Sequence, residues 1–242
     1  MWINIFSLLF AALFGGLLAF RFKTSKRFSF THVLTFAGAY LFAITIVHVI
    51  PELFSQTTSP IKAGIFVLVG FYFQQILEYL TAGVEHGHMH HPHGEHQHNL
   101  GMALSLLVGL TIHSFLEGTL LGHPTEIASG NSFPLLMGIV LHKIPAAFAM
   151  MTVLICQYHQ PKWPLIFLFV FALASPFGVY FSETVNLSES SGEILFALVS
   201  GSFLHISTTI VFEGSPQHKF NLSRIGVSLL GAAIAVLAQL LL

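Results

Sequence analysis

Two histidines and a glutamate stand in apolar stretches, where ionisable or metal-binding side chains are costly and indicate function. His113 and Glu117, in TIHSFLEG, are four residues apart, so on a helix they share one face about one turn apart. His142 lies at a similar depth in the next apolar stretch. An imidazole and a carboxylate at this spacing can hold a divalent metal, and a histidine from a neighbouring helix would add a third ligand. Two nitrogens and one oxygen suit zinc, and also iron, manganese or cobalt.

A lysine directly follows the third of these residues. Lys143 stands beside His142 in the otherwise apolar stretch GIVLHKIPAAFAMM, with Pro145 two residues on. The proline removes one helical hydrogen bond and frees a carbonyl about one turn earlier, where an ion could use it. Two interpretations without metal stay open: a His–Glu hydrogen bond that only packs two helices, and a simple kink at the proline.

The elements that must position these residues are membrane-spanning helices. The chain has 242 residues, of which 54% are hydrophobic and 8% charged, and its mean hydropathy is +0.78. Soluble domains carry about a quarter charged residues, and about 20 apolar residues cross a bilayer. We therefore expect an all-α integral membrane protein in which residues 1–242 form one transmembrane domain. Its eight spans are predicted at 2–20, 31–53, 62–82, 100–122, 131–157, 163–182, 192–213 and 223–242.

Lysines and arginines predict the orientation. If the spans alternate in direction, the segments after spans one, five and seven lie on one side of the membrane. These segments carry most of the cations: Arg21, Lys23, Lys26, Arg27, Lys162, Lys219 and Arg224. The positive-inside rule assigns that side to the cytoplasm and both termini to the outside. We expect a multi-pass protein of the plasma membrane, the inner membrane of a bacterium, with an organelle membrane as the alternative.

A histidine-rich stretch, EHGHMHHPHGEHQH, separates spans three and four. Its glycines, its proline and its many polar residues exclude a packed core, so a cytoplasmic loop is predicted at 83–99. Neutral imidazoles bind zinc, copper and nickel, and the loop could capture metal that has crossed the membrane. The alternative is a tract that binds metal only in vitro. Its histidines are His86, His88, His90, His91, His93, His96 and His98.

Four further ionisable residues extend a potential metal pathway beyond the central three. His48 and Glu52 lie at the outer end of span two, where they would attract the ion at the outer mouth. His205 lies in span seven and Glu213 at its inner end, where they would guide the ion inward.

Over nearly its whole length, the chain resembles the ZIP (Zrt/Irt-like) family of divalent-metal transporters. The resemblance implies an inverted-repeat bundle around spans four and five, with metal held at mid-membrane by His113, Glu117 and His142. It rests on four motifs together with the eight spans and the histidine-rich loop. They are HSFLEG in span four (pattern His-Asn-x-x-(Asp/Glu)-Gly), HKIPAA in span five (His-(Glu/Asn/Lys)-x-Pro), SGSFLH in span seven and HVIPE in span two.

The resemblance also shows where this chain departs from the family. Binuclear members hold a second metal with ligands at positions occupied here by Ser114, Lys143 and Ser175. These residues provide no amide or acidic ligand, and one of them is a cation. We therefore expect one metal, with the Lys143 ammonium in place of the second and close to the Glu117 carboxylate. A further family ligand, one turn after the span-five histidine, is replaced by Ala146.

These features predict a transporter that moves a divalent ion into the cytoplasm. The expected cargo, which is not a resident cofactor, is Zn²⁺, with Fe²⁺, Mn²⁺, Co²⁺ or Cd²⁺ as alternatives. Two other classes stay open: an integral-membrane zinc-dependent hydrolase and a receptor with a chromophore linked to Lys143. Against the hydrolase, the chain has no aspartate and no His-Glu-x-x-His. The expected partners are divalent ions and the lipid bilayer; a homodimer is left open, and no nucleic acid is expected.

Overall fold

The computed structural model describes residues 1–22, 31–81, 100–122, 132–158, 160–185, 187–213 and 222–241. Within these ranges the chain is helical and has no strand. The α-helices are α1 (Trp2–Phe22), α2 (Thr31–Ile44), α3 (Ile50–Gln56), α4 (Pro60–Thr81), α5 (Leu100–Gly122), α6 (Phe133–Gln157), α7 (Lys162–Thr184), α8 (Glu189–Thr208) and α9 (Leu222–Leu241). One π-helical segment, Thr45–Val49, joins α2 to α3, and a second, Thr209–Glu213, extends α8.

Eight helical stretches of the described chain are long and apolar enough to cross a membrane. They correspond to the eight predicted spans, so the all-α membrane architecture is confirmed. The second span, His32–Gln56, runs through α2, the first π segment and α3, and the seventh, Glu189–Phe212, runs from α8 into the second π segment. Pro145 lies inside α6, which continues as a helix on both sides of it.

The helices pack as two groups of four spans each. In the first, which we call the α5–α6 group, α1 lies along α6 and α7, and α5 lies along α7. In the second, the α4–α8 group, α4 lies along α8, and α2 lies along α9 and α8. The two groups meet mainly where α2 faces α6 and where α4 faces α5.

This pairing has the symmetry of an inverted repeat. In an inverted repeat, spans one to three correspond to spans six to eight, and span four corresponds to span five. Under this correspondence α1 (span one) matches α7 (span six) and α6 (span five) matches α5 (span four), so the packed pair α1–α6 matches the packed pair α7–α5. In the same way α4–α8 matches α9–α2, which is the other main pair of its group. The π segments also fall in corresponding spans, two and seven. The contacts therefore agree with the repeat that the family resemblance implies.

Close backbone contacts at glycines hold each group together. A Cβ atom added to Gly118 of α5 would lie 2.0 Å from the carbonyl oxygen of Ser175 in α7. In the other group, a Cβ at Gly70 of α4 would lie 1.9 Å from the carbonyl oxygen of Leu198 in α8. Because only a residue without a Cβ allows such an approach, these helix pairs pack backbone against backbone.

At two glycines on the boundary between the groups, the nearest atoms belong to side chains. A Cβ at Gly138 of α6 would lie 3.3 Å from Cδ1 of Tyr40 in α2. A Cβ at Gly109 of α5 would lie 2.6 Å from Cγ2 of Thr81 in α4. Side chains can change rotamer more easily than backbone can move, so these two contacts are less rigid than the backbone contacts at Gly118 and Gly70.

Candidate metal centre

The three predicted ligands come together between α5 and α6. His113 and Glu117 lie one turn apart on α5, and His142 lies on α6, with exposures of 3%, 1% and 1%. One ligand atom from each lies within 4.8 Å of the other two. Among the described residues, no other set of three or more histidine, cysteine or acidic side chains could hold a metal ion in this way.

Glu117 divides its two carboxylate oxygens between two sets of partners. Oε1 lies 3.0 Å from Nε2 of His113 and 3.9 Å from Nε2 of His142. Oε2 accepts a 2.7 Å hydrogen bond from Nζ of Lys143. The oxygen that faces the two imidazoles is the one available to a metal, whereas the other accepts the hydrogen bond from the ammonium.

The Lys143 ammonium uses all three of its donors inside the protein. It donates to Oε2 of Glu117, Oγ of Ser114 and Oγ of Ser175, each at 2.7 Å. An ammonium has three donors and no acceptor, so these bonds complete its hydrogen-bonding capacity. Its Nζ also lies 5.2 Å from the centre of the Phe171 ring, within the range of a cation–π contact. The ammonium therefore lies beside the Glu117 carboxylate and between the hydroxyls of the two serines.

The close packing of α5 on α7 brings the second serine to the lysine. The Ser175 carbonyl is the group that Gly118 approaches, which places the Ser175 hydroxyl beside α5. That hydroxyl donates to the carbonyl oxygen of Ser114 at 2.5 Å, and the two hydroxyl oxygens are 2.9 Å apart. The glycine in HSFLEG thus has a structural reason: a side chain there would push Ser175 away from Lys143.

The outer pair of predicted pathway residues lies apart from the three ligands. His48 is on the π segment of span two and is buried, with 8% exposure. Glu52 lies one turn further on, in α3, where its carboxylate accepts a 2.6 Å hydrogen bond from Nε2 of Gln56. A metal-attracting role for this pair stays a prediction.

His205 has an acidic partner, Glu78, which is not one of the predicted pathway residues. Its Nε2 lies 2.6 Å from Oε2 of Glu78 in α4, and its ring packs edge-on against Phe71 at 4.8 Å. One turn away, Ser202 donates a 2.8 Å hydrogen bond to Oε1 of Gln74. A glutamate in an apolar stretch is itself a signal, but nothing in the local sequence indicates that α4 meets α8 here.

Two parts of the predicted pathway fall outside what the structure describes. Glu213 ends the second π segment, and its side chain is not among those described. The histidine-rich stretch likewise lies in residues 82–99, outside the described ranges. Metal capture there stays a prediction.

The sequence comparison bears directly on this site. Residues 84–239 match the family described as ZIP Zinc transporter. The chain belongs to the ZIP zinc transporter family. The match contains all three ligands of the candidate centre and the Lys143 cluster, and it confirms the resemblance seen in the motifs. It gives no support to the hydrolase alternative.

The curated relatives of this ZIP chain align with about half of its length. Protein zntD of Dictyostelium discoideum is 30% identical over 150 residues, covering 53% of this chain and 22% of that protein. Zinc transporter ZIP1 of Danio rerio is 28% identical over 127 residues, covering 50% and 41%. Zinc transporter ZIP1 of Takifugu rubripes is 26% identical over 134 residues, covering 54% and 44%. The chain thus spans less than half the length of each of these relatives.

Proposed function

We propose that this ZIP protein carries a divalent metal ion across a membrane into the cytoplasm and that zinc is its main substrate. The observation that carries the proposal is the convergence of His113, Glu117 and His142 on one buried point. Two imidazoles and a carboxylate form a zinc ligand set that leaves the fourth position open. Such an incomplete shell suits a carrier, which must release what it binds. The two relatives named Zinc transporter ZIP1 support zinc as the cargo.

Lys143 supports a centre with a single ion. Its ammonium lies between the Glu117 carboxylate and the hydroxyls of Ser114 and Ser175. It therefore occupies the space where a second metal would bind. A second cation would be repelled by the ammonium at short range, and more strongly in a buried site than in water. The single negative charge of Glu117 is already balanced, so the cluster is stable before any metal binds.

We infer a pathway that begins at His48 and Glu52 and ends near the second π segment. At the inner stage, an ion would meet His205 already bonded to Glu78, so we propose these two residues together in place of His205 alone. Glu213 and the loop histidines would follow. Arg21, at the end of α1, lies at the end of the molecule that we place in the cytoplasm.

The division into two groups supports alternating access. All three proposed ligands belong to the α5–α6 group, whose helices pack backbone against backbone. Movement of this group along the α4–α8 group would carry the whole site without changing its internal geometry. The ion would then be open to one side of the membrane at a time.

The test is uptake of radioactive zinc into vesicles that contain the purified protein. We expect His113→Ala and His142→Ala each to lower uptake by roughly tenfold or more, because each removes one of three ligands. His32→Ala is the matched control, since His32 lies exposed on α2 and contacts Ser223 of α9. Unchanged uptake in both ligand variants would exclude this site, and zinc-dependent hydrolysis by the purified protein would favour an enzyme.

A second prediction concerns the number of ions bound. Replacing the cation and one serine together, as Lys143→Glu with Ser114→Asn, supplies ligands at two of the three altered positions. We expect the metal-to-protein ratio of the purified variant to rise from one to two. Lys143→Met is the control, because it removes the charge without adding a ligand and should keep one ion. An unaltered ratio in a monodisperse double variant would count against a role for Lys143 in place of a second metal.

A further inference from the structure

The α5–α6 group is displaced along the helix axes relative to the α4–α8 group. Pro134, the second residue of α6, contacts Tyr40, which lies in α2 well before span two ends at Gln56. The start of α6 thus lies level with the first part of span two, so the α5–α6 group is shifted along the α4–α8 group towards the end where α2 begins. This is the end that the cations assign to the cytoplasm. At the other contact between the groups, Gly109 of α5 lies against Thr81 of α4.

Tyr40 is held firmly on its own side of this boundary. It is 3% exposed and lies where α9 packs directly on α2. A Cβ at Gly231 of α9 would lie 2.6 Å from the carbonyl oxygen of Phe36 and 3.3 Å from the backbone nitrogen of Tyr40. The backbone that carries the phenol ring is thus part of the close packing inside the α4–α8 group.

The Tyr40 side chain reaches across to the other group. Its hydroxyl donates a buried 3.1 Å hydrogen bond to the carbonyl oxygen of Pro134. Gly138, one turn further along α6, leaves room for the ring, because a Cβ there would lie 3.3 Å from Cδ1 and 3.4 Å from Cε1. A shift by one helical turn, about 5.4 Å, would break this bond. A buried hydroxyl without a partner is unfavourable, so the bond favours the displaced position.

We propose that Tyr40 is a positioning residue that holds the metal-bearing group at the cytoplasmic limit of its movement. The inference rests on the proposed function, since it takes this movement as the transport step. Tyr40→Phe keeps the ring against Gly138 and removes only the hydroxyl. We expect it to shift the equilibrium towards the outward position by roughly two- to tenfold, the range of a typical buried hydrogen bond.

Cross-linking between the groups measures that equilibrium. In a Cys156→Ser background, Gly109→Cys with Thr81→Cys places two thiols next to each other only in the displaced position. Tyr40→Phe should lower the rate of disulfide formation in proportion to the fall in the displaced population, by up to that factor. A pair inside the α4–α8 group, Ala39→Cys with Gly231→Cys, is the control, because a Cβ at Gly231 would lie 3.4 Å from that of Ala39 and the rate of this disulfide should not change.

Two further readouts separate positioning from a general structural defect. On the Cys156→Ser background, Tyr40→Phe should lower the external KM for zinc uptake, because the outward state becomes more populated, while zinc affinity in detergent stays unchanged. Gly138→Ala, which presses on the ring, should shift the cross-linking rate in the same direction by less. Absent uptake by the wild-type protein would overturn the proposed function and this inference with it. Uptake together with an unchanged cross-linking rate in Tyr40→Phe would overturn the role of Tyr40 alone.

Discussion

Replacing Lys143 by methionine is expected to lower the free energy of unfolding by about 3–5 kcal/mol, as when one partner of a buried ion pair is removed. The ammonium and the Glu117 carboxylate are each 1% exposed and lie 2.7 Å apart. Methionine has a similar length but leaves the carboxylate buried without its counter-charge. It also deprives the hydroxyls of Ser114 and Ser175 of their shared donor. Reversible unfolding in mixed detergent micelles measures the loss.

A double variant separates the two roles of the carboxylate. Lys143→Met with Glu117→Gln removes both charges, so most of the lost stability should return. Zinc uptake by the double variant should be well below that of the wild-type protein, because the amide replaces the only carboxylate among the three proposed ligands. Lys62→Met is the matched control: the Lys62 ammonium donates an exposed hydrogen bond to Ser190, and its loss should change stability by less than about 0.5 kcal/mol. A loss below about 1 kcal/mol for Lys143→Met would show that the buried pair is not stabilising.

The second large effect is expected from Gly118→Ala, a change of one methyl group. The added Cβ would meet the Ser175 carbonyl oxygen at 2.0 Å, and a backbone oxygen cannot turn away as a side chain can. The α7 helix must move away from α5, at a cost of about 1–3 kcal/mol or more in unfolding free energy. Because that movement withdraws the Ser175 hydroxyl from Lys143, zinc affinity should fall together with stability.

Gly64→Ala provides the comparison, since no atom lies within 4 Å of a Cβ added at that position in α4. Alanine favours a helix over glycine by about 1 kcal/mol, so this variant should be as stable as the wild-type protein or more so. The same unfolding experiment and a zinc-binding titration compare the two variants. Equal stability of both would mean that α5 and α7 adjust to a side chain, contrary to the close contact described above.

The positions of the spans and the clustering of the three proposed ligands could be predicted because their signals are local. Eight long apolar runs need only the thickness of the bilayer to become helices. The spacing of His113 and Glu117 places both on one helical face whatever surrounds the helix. The motif HKIPAA likewise marks His142 and Lys143 as neighbours with different chemistry.

The partners of the ionisable groups could not be predicted in the same way. Glu78 and His205 are 127 positions apart and meet only because α4 lies along α8. The bond between Tyr40 and Pro134 likewise depends on how far one group of helices is displaced along the other. Such contacts have no local pattern, so only the packed structure reveals them.

The sequence by itself determined the membrane class, the eight spans, the family motifs and the residues that we propose as metal ligands. The tertiary structure decided which oxygen of Glu117 faces the histidines, which serines receive the Lys143 ammonium, and which helices form each group. The physical reason lies in the solvent. A helix in lipid is apolar on nearly every side, so hydrophobic periodicity does not distinguish the protein-facing side from the lipid-facing one. That choice is made by close packing at glycines such as Gly118 and by buried polar pairs.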